Sequence, residues 1–261
     1  MQLDIPMNYF KKILFIILGQ RSYLKLLHRI FYLLYDLKFL GFNQKFKFHY
    51  AVKKIIKPDF IVLDLGANLG YFAKIFSRLA KNGKVICVEP IPDYFSTLTY
   101  FLGHKKNTEI YNFALGNKAG ETTMVLPESN GFIRTGLPHI ASSEKEIANN
   151  KSQLVEIRKA SDFISQIPHI DYIKCDIEGY EAIVFDEFKS YLMKVRPLIQ
   201  IEIGQENVAK MLELFTELDY LQYGIANFSF VSEKGDGTQQ EPGDFLFIPA
   251  DKKAYFESLI K

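Results

Sequence analysis

Four acids in this chain stand at the ends of strand-like runs, where an α/β sheet gathers its ligands. Asp64 lies in "FIVLDLG", Glu89 in "KVICVEP", Asp176 in "DYIKCDI" and Glu202 in "PLIQIEI". The first is followed by a turn with two glycines four residues apart, Gly66-Ala67-Asn68-Leu69-Gly70. Gly66 admits a positive φ or close approach of the backbone to a ligand. Asn68 tolerates left-handed geometry better than most side chains. A helix starting near Gly70 would offer free N–H groups to an anion, and Asp64 could hold a cation or an amine. The turn suits a molecule that carries both charges.

A dinucleotide would call for three glycines in the pattern G-x-G-x-x-G, which this turn lacks. S-adenosylmethionine carries an ammonium, a carboxylate and a sulfonium but no phosphate, and fits better. Glu89 follows Asp64 by 25 residues and could accept from both ribose hydroxyls. Read singly, Asp64 could be a helix cap and Glu89 an exposed strand end. Their matching positions favour the cofactor.

"CDIEGYE" holds a second constellation. In a doubly wound sheet the fourth strand lies beside the first, so Asp176 ends next to Asp64. Glu178 points to the same side while the chain stays extended, and Glu202 ends the next strand. Three carboxylates at one crevice raise at least one pKa. A raised carboxylate can act as a general base toward a sugar hydroxyl. Hard oxygens could instead hold Mg²⁺, the weaker reading, and no metal ligands are assigned. Glu178 could also cap a helix and Glu202 order a substrate. His139 in "GLPHI" and Arg134 are either a base or acceptor contacts, or solvated loop residues. The other histidines read as structural.

The elements that must position these groups alternate. Apolar β-like runs between Phe60 and Ile203 fit strands buried on both faces of a parallel sheet. Phe72, Ile75, Phe76 and Leu79 repeat at helical spacing, as do Tyr180, Ile183, Val184 and Phe188, and Val208, Met211, Leu212, Phe215 and Leu218. Alternation of this kind means helices on both faces of the sheet. "YGIANFSFV" and "DFLFIP", joined by "SEKGDGTQQEPG", close it with an antiparallel hairpin. Residues 127–152 are polar and too long for an ordinary connection, which marks them as functional or mobile.

The 261 residues suit one α/β domain with additions, or two small domains. A net charge of +2 gives no electrostatic case for nucleic acid. Cys87 and Cys175 lie inside apolar runs and read as thiols of a reducing, cytoplasmic compartment. One strand should separate theirs, so they should not pair: two strand spacings are nearly 10 Å, against a limit of about 7 Å. The apolar run Ile13–Leu18 lacks a following cleavage site and is too short to span a bilayer, which takes about 20 residues. Phe10, Ile13, Leu14, Ile17 and Leu18 repeat at helical spacing among Lys11, Lys12, Arg21, Lys25 and Arg29, with Tyr9, Tyr23 and Tyr32 as interface-seeking rings. Residues 1–40 therefore suit peripheral contact with an anionic membrane at its inner face. The same pattern serves helices that pack on the sheet domain, the commoner use, or that form a homodimer.

In their order, "VLDLGANLGYFA", "VEPIP", "NFALG", "DYIKCDIEGYE" and "IQIEIG" resemble the FkbM-type S-adenosylmethionine-dependent methyltransferases. The resemblance spans roughly Phe60 to Gly204 and the closing "GDFLFIP"; "KCDIEGYE" is its most specific part. It implies a Rossmann-like class I fold, a doubly wound, mostly parallel seven-stranded sheet whose last strand is antiparallel. It implies methylation of hydroxyl oxygens, often on sugars or glycosylated products. It places the cofactor's methionine end along Asp64, Gly66, Ala67, Asn68 and Gly70, its ribose at Glu89 and Pro90, and its adenine at Asn112 and Ala114, with Asp176 between cofactor and acceptor. Cys175 departs from the aliphatic residue usual there.

The expected organisation is an N-terminal helical appendage over 1–55 and a methyltransferase domain over 56–261, with 127–152 inserted as an acceptor region. The expected function is transfer of a methyl group to a small-molecule or glycan hydroxyl. Two other classes stay open: a nicotinamide-dependent oxidoreductase, and a non-catalytic membrane-associated protein that keeps the fold.

Overall fold

The computed structural model describes every residue except 1–3, 130, 131, 134, 227, 228, 233–242 and 261. Arg134 and most of the loop expected over 232–243 lie outside these residues, as do the side chains of Tyr9 and Phe10. The chain enters through α1 (Asp4–Asp36) and the short α2 (Lys47–Ala51), then alternates through β1 (Ile61–Leu65), α3 (Ala73–Leu79), β2 (Lys84–Val88), α4 (Pro92–Leu102) and β3 (Thr108–Tyr111). An excursion follows: β4 (Ala114–Gly116), β5 (Gly120–Leu126), β6 (Glu128–Ser129), β7 (Phe132–Ile133), β8 (His139–Ile140), α5 (Glu144–Asn149) and β9 (Lys151–Lys159). Alternation resumes with α6 (Ala160–Ser165), β10 (Tyr172–Cys175), α7 (Glu181–Val195), β11 (Leu198–Ile203) and α8 (Val208–Glu217). The chain closes with β12 (Tyr220–Ala226), β13 (Ser229–Ser232), β14 (Gly243–Pro249) and α9 (Lys253–Ile260).

The main sheet has the order β13-β12-β14-β11-β10-β1-β2-β3. Its five central and right-hand strands are parallel and β14 runs antiparallel between β11 and β12. This is the doubly wound α/β sheet expected, with eight strands rather than seven. The extra strand arises because "YGIANFSFV" breaks into β12 and β13, which pair with each other. "EIYNFA" also splits: Ala114 leaves the main sheet and pairs with Ile157 in a smaller one, order β4-β9-β5-β8. That smaller sheet gives the 127–152 segment its frame, since β5 and β9 carry it like a hairpin.

Alternation along the central strands sorts the core into two layers. Val62, Val85 and Tyr172 pack toward α1, α2 and α3, and Leu63, Ile86 and Ile173 toward α6, α7 and α8. From Tyr23 onward the N-terminal helices share the first layer through Phe31, Tyr32 and Phe48. Within it His28 is fully buried, stacks on Phe101 with ring centroids 3.7 Å apart, and bonds the Leu69 carbonyl. Burial pushes its pKa down to about 4. Tyr32 donates to the Tyr71 carbonyl, so α1 clasps the glycine turn from behind. Cys87 and Cys175 are buried and free, with β1 between their strands as expected. Among the described residues no helix is long and apolar enough to cross a membrane.

Candidate active site

The turn after β1 takes the backbone the sequence demanded: Gly66, Asn68 and Gly70 have φ of 70°, 51° and 89°. A Cβ at Gly66 would collide with the Asp176 carbonyl oxygen, so the loops after β1 and β10 touch only because this residue is glycine. Gly70, expected beside the methionine end of the cofactor, packs closely against α4. A Cβ there would sit 2.7 Å from a Leu98 methyl, and α3 begins only at Ala73.

Gly66 and Asn68 line a cleft of about 700 Å³, counting its open mouth, with Glu89, Pro90, Ile91, Tyr94, Phe113, Ala114, Asp176 and Glu178. Thr135, Gly136, Pro138 and Ile140 of the 127–152 segment form its cover. Asn68 joins cover to floor: its amide donates to the Thr135 carbonyl while its backbone N–H donates to Glu89 Oε2 at 2.7 Å. Glu89 Oε1 accepts from the Ile91 N–H at 2.8 Å. Burial raises the Glu89 carboxyl to about 7 against the pull of those two donors. Tyr94 is 1% exposed, and its hydroxyl has no partner.

Three residues expected at the cofactor, Asn112, Ala67 and Asp64, do not line this cleft. Asn112 spends both amide hydrogens on the Glu89 and Pro90 carbonyls, each at 2.9 Å; it shapes the loop and does not line the cleft. Ala67 is buried beneath the turn, its N–H bonded to the Val88 carbonyl. Asp64 turns away from the cleft, because alternation puts it on the Val62 face of β1. It is fully buried, and neither carboxylate oxygen has a hydrogen-bond partner.

What Asp64 faces is a residue the sequence reading passed over. Lys174 stands opposite it in register, with Nζ 3.9 Å from Asp64 Oδ1 and 3.2 Å from Asp176 Oδ2. The same ammonium donates to the Gly66 carbonyl at 3.3 Å. Burial disfavours its charge, but Asp176 and Asp64 outweigh that and hold its pKa above the ordinary lysine value. Asp64, beyond hydrogen-bond reach, receives less in return, and burial lifts it to about 7. One buried cation thus ties the cofactor turn to the Asp176 loop.

Asp176 and Glu178 also line a second, wider cavity of about 1160 Å³, counting its open mouth, with His139, Glu202 and Gly204. The sequence reading brought these carboxylates to one crevice, and they meet there. Glu178 has a φ of 47°, an uncommon conformation for a non-glycine residue. Glu181 holds this turn by accepting from the Ile177 and Gly179 N–H groups. Burial, then Asp176, Glu202 and Glu181, raise Glu178 to about 7. Asp244, opposite Glu202 in register, adds a further acid raised by burial and by Asp176 to about 6. Among the described residues no three His, Cys, Asp or Glu side chains gather closely enough to hold a metal ion.

His139, expected as a base or acceptor contact or as a solvated loop residue, lines the second cavity with both ring nitrogens engaged. Nδ1 faces the Leu137 carbonyl at 2.9 Å and Nε2 faces Glu146 Oε1 at 2.7 Å. Burial alone would lower its pKa, but Glu146 and the Leu137 carbonyl raise it.

Lys174, Tyr94, Glu181 and Asp244 are the site residues that sequence reasoning missed. Only Lys174 carried a signal: a lysine inside a strand buried on both faces needs an acid beside it.

A family model described as the methyltransferase FkbM domain matches residues 64–221. The 2-O-methyltransferase NoeI of Sinorhizobium fredii is 25% identical over 213 residues, 77% of this chain and 84% of that protein. Among solved structures, the methyltransferase FkbM from Methylobacillus flagellatus KT is similar with a TM-score of 0.47 and 15% identity, over 74% of this chain and 44% of that one. The present chain thus spans less than half the length of that structure. A SAM-dependent O-methyltransferase from Thermotoga maritima is similar with a TM-score of 0.43 and 12% identity, over 78% of this chain and 64% of that one. Neither the oxidoreductase reading nor the non-catalytic reading gains support from these comparisons. The family model covers more than half of the residues, from the glycine turn to β12, and the chain belongs to the FkbM methyltransferase family.

Proposed function

We propose that this protein transfers the methyl group of S-adenosylmethionine to a hydroxyl oxygen of a sugar or glycosylated acceptor. The observation that carries the reading is the shared wall: Asp176 and Glu178 line both the covered cleft and the open cavity beside it. Two molecules bound in these spaces would meet at those carboxylates.

The residues of the cleft fit the cofactor. Glu89 keeps two acceptor sites beyond its backbone bonds, enough for a pair of ribose hydroxyls. Tyr94 offers a buried hydroxyl without a partner among the described residues. Ile91, Phe113, Ala114 and Met124 give an apolar slot for a flat base. Three carboxylates and no basic side chain line the cleft among the described residues. That field suits a sulfonium and an ammonium and repels a pyrophosphate. The bound cofactor supplies an electrophilic methyl group.

The chain's own contribution lies in alignment and proton removal. Lys174 fixes Asp176 at 3.2 Å, so Asp176 holds a donor hydroxyl in one direction, and alignment is the main need of in-line attack. Glu178, titrating near 7, is matched to accept a hydroxyl proton at neutral pH. The acidic wall of Asp176, Glu178 and Glu202 favours a neutral polyol over an anionic acceptor. The NoeI relative, a 2-O-methyltransferase by name, supports an oxygen acceptor.

The test is mass spectrometry of a panel of free and lipid-linked glycans incubated with the protein and S-adenosylmethionine. Gain of one methyl on a hydroxyl supports the reading. Transfer confined to a nitrogen or carbon acceptor would overturn its oxygen specificity.

A further inference from the structure

The first helix is two structures in one. At Gly19, φ of 70° and ψ of 162° break it. Beyond the break Tyr23, Leu24, Phe31, Tyr32 and Tyr35 are buried against the body of the protein. Before the break the apolar residues face solvent: Ile16 is 69% exposed and Ile17 72%, with Ile13 and Leu18 also open. Ile13, Ile16 and Ile17 fall at i, i+3 and i+4, on one face of the helix. Phe15 folds back on Tyr23, ring centroids 5.4 Å apart and edge to face, so the exposed face is held in place across the break.

We propose that residues 4–18 form an in-plane anchor for an anionic phospholipid surface. Contiguous exposed aliphatic residues on a soluble protein mark an interaction face. The charge pattern selects its occupant. No Asp or Glu occurs from Ile5 to Tyr35, whereas Lys11, Lys12, Arg21, Lys25 and Arg29 do. Lys12 is exposed beside the isoleucines, and Arg21, 77% exposed, follows the break. Arg21 is already paired with Asp93, but a second copy docked face to face would set Lys11 and Lys12 against their own counterparts. An anionic headgroup layer compensates them and buries the aliphatic face at the acyl boundary. The segment lies along the surface and does not cross it, since no described helix is long and apolar enough to span.

The break also explains why the anchor can exist without cost to the core. Gln20 bonds Asp93 Oδ2 at 2.6 Å and Arg21 bonds Asp93 Oδ1 at 3.3 Å. The helix is therefore moored to the start of α4 just past Gly19, and no described residue before Gly19 lines either cavity.

Cosedimentation of the full chain with phosphatidylcholine vesicles, with and without phosphatidylglycerol, tests this. Binding should require phosphatidylglycerol and low salt. Ile16→Asp with Ile17→Asp, and separately Lys11→Glu with Lys12→Glu, should each weaken it by about tenfold or more, with unchanged thermal melting. Equal binding to neutral vesicles overturns the electrostatic basis. Failure of the intact protein to bind phosphatidylglycerol vesicles at low salt overturns the proposal. A dimer in solution that dissociates in the Ile16→Asp, Ile17→Asp variant, without vesicle binding, assigns the face to a second copy and overturns it equally.

Discussion

Lys174 Nζ lies 3.2 Å from Asp176 Oδ2 and bridges to the Gly66 carbonyl, so one buried ammonium couples the loop after β10 to the glycine turn after β1. Its side chain is 6% exposed, and the nearby Asp64 is fully buried. Removing a single partner from such a pair leaves uncompensated charge, at a cost of about 3–5 kcal/mol. Lys174→Met should therefore lower unfolding free energy by about that amount in urea titrations at neutral pH. Adding Asp64→Asn to it should recover part of the loss. A Lys174→Met protein as stable as the wild type would show that the ion network holds nothing together.

Stability should fall as pH rises through the neutral range. An unfolded carboxyl releases its proton near 4. In the fold Asp64, Glu89 and Glu178 release theirs near 7 and Asp244 near 6. Between those values the folded state holds more protons than the unfolded one. The stabilisation is complete below about 4 and is lost as pH climbs toward about 7. His139, also raised, acts in the same direction, whereas His28 and His49, lowered by burial to about 4 and about 3, act against it below about 6.5 and are outnumbered by the raised carboxyls. Urea midpoints measured from about pH 5 to pH 8 should decrease, and Asp64→Asn should flatten the slope. Midpoints that climb over this interval would contradict the assigned shifts.

Tyr94→Phe separates a ligand contact from a structural one. The hydroxyl has no partner in the protein alone, so its removal should leave melting unchanged or slightly higher. Cofactor affinity should nevertheless drop by about 0.5–1.5 kcal/mol, the value of one hydrogen bond. Calorimetry and melting on the same preparation read both. Loss of stability with unchanged affinity would make Tyr94 a packing residue only.

The layers of this fold were open to reading because burial on both faces leaves a plain mark, the continuous apolar run. The two-glycine turn was equally plain, since Gly66 answers to a single contact, the Asp176 carbonyl. Asp64 misled because an acid at a strand end suggests a ligand. The alternation that buries Val62 against α3 also turns Asp64 away from the cleft, toward Lys174. The partnership could have been inferred, because both residues are charges in central strands one spacing apart. Tyr94 could not, since a tyrosine on a core helix looks like packing until a cavity appears at its side. The cover over the cleft was hidden as well. Thr135 and Pro138 belong to a polar segment without periodicity, and only the β5–β9 frame places it.

Glu178→Gln should keep cofactor affinity within about twofold and lower turnover by about 10²–10⁴-fold. The amide preserves size while losing the proton acceptor. In the wild type, activity should rise as Glu178 deprotonates around pH 7, and that limb should vanish in the variant. Intact turnover with an unaltered pH profile would move the base elsewhere.

The central claim, that the covered cleft is built for S-adenosylmethionine, is met most directly by calorimetric titration of the full chain with S-adenosylhomocysteine, S-adenosylmethionine and NAD. Both sulfur compounds should saturate one site, and Glu89→Ala should weaken them by about 1–3 kcal/mol as the ribose loses a charged acceptor. NAD should give no heat. Saturation with NAD and silence with both sulfur compounds would contradict the account.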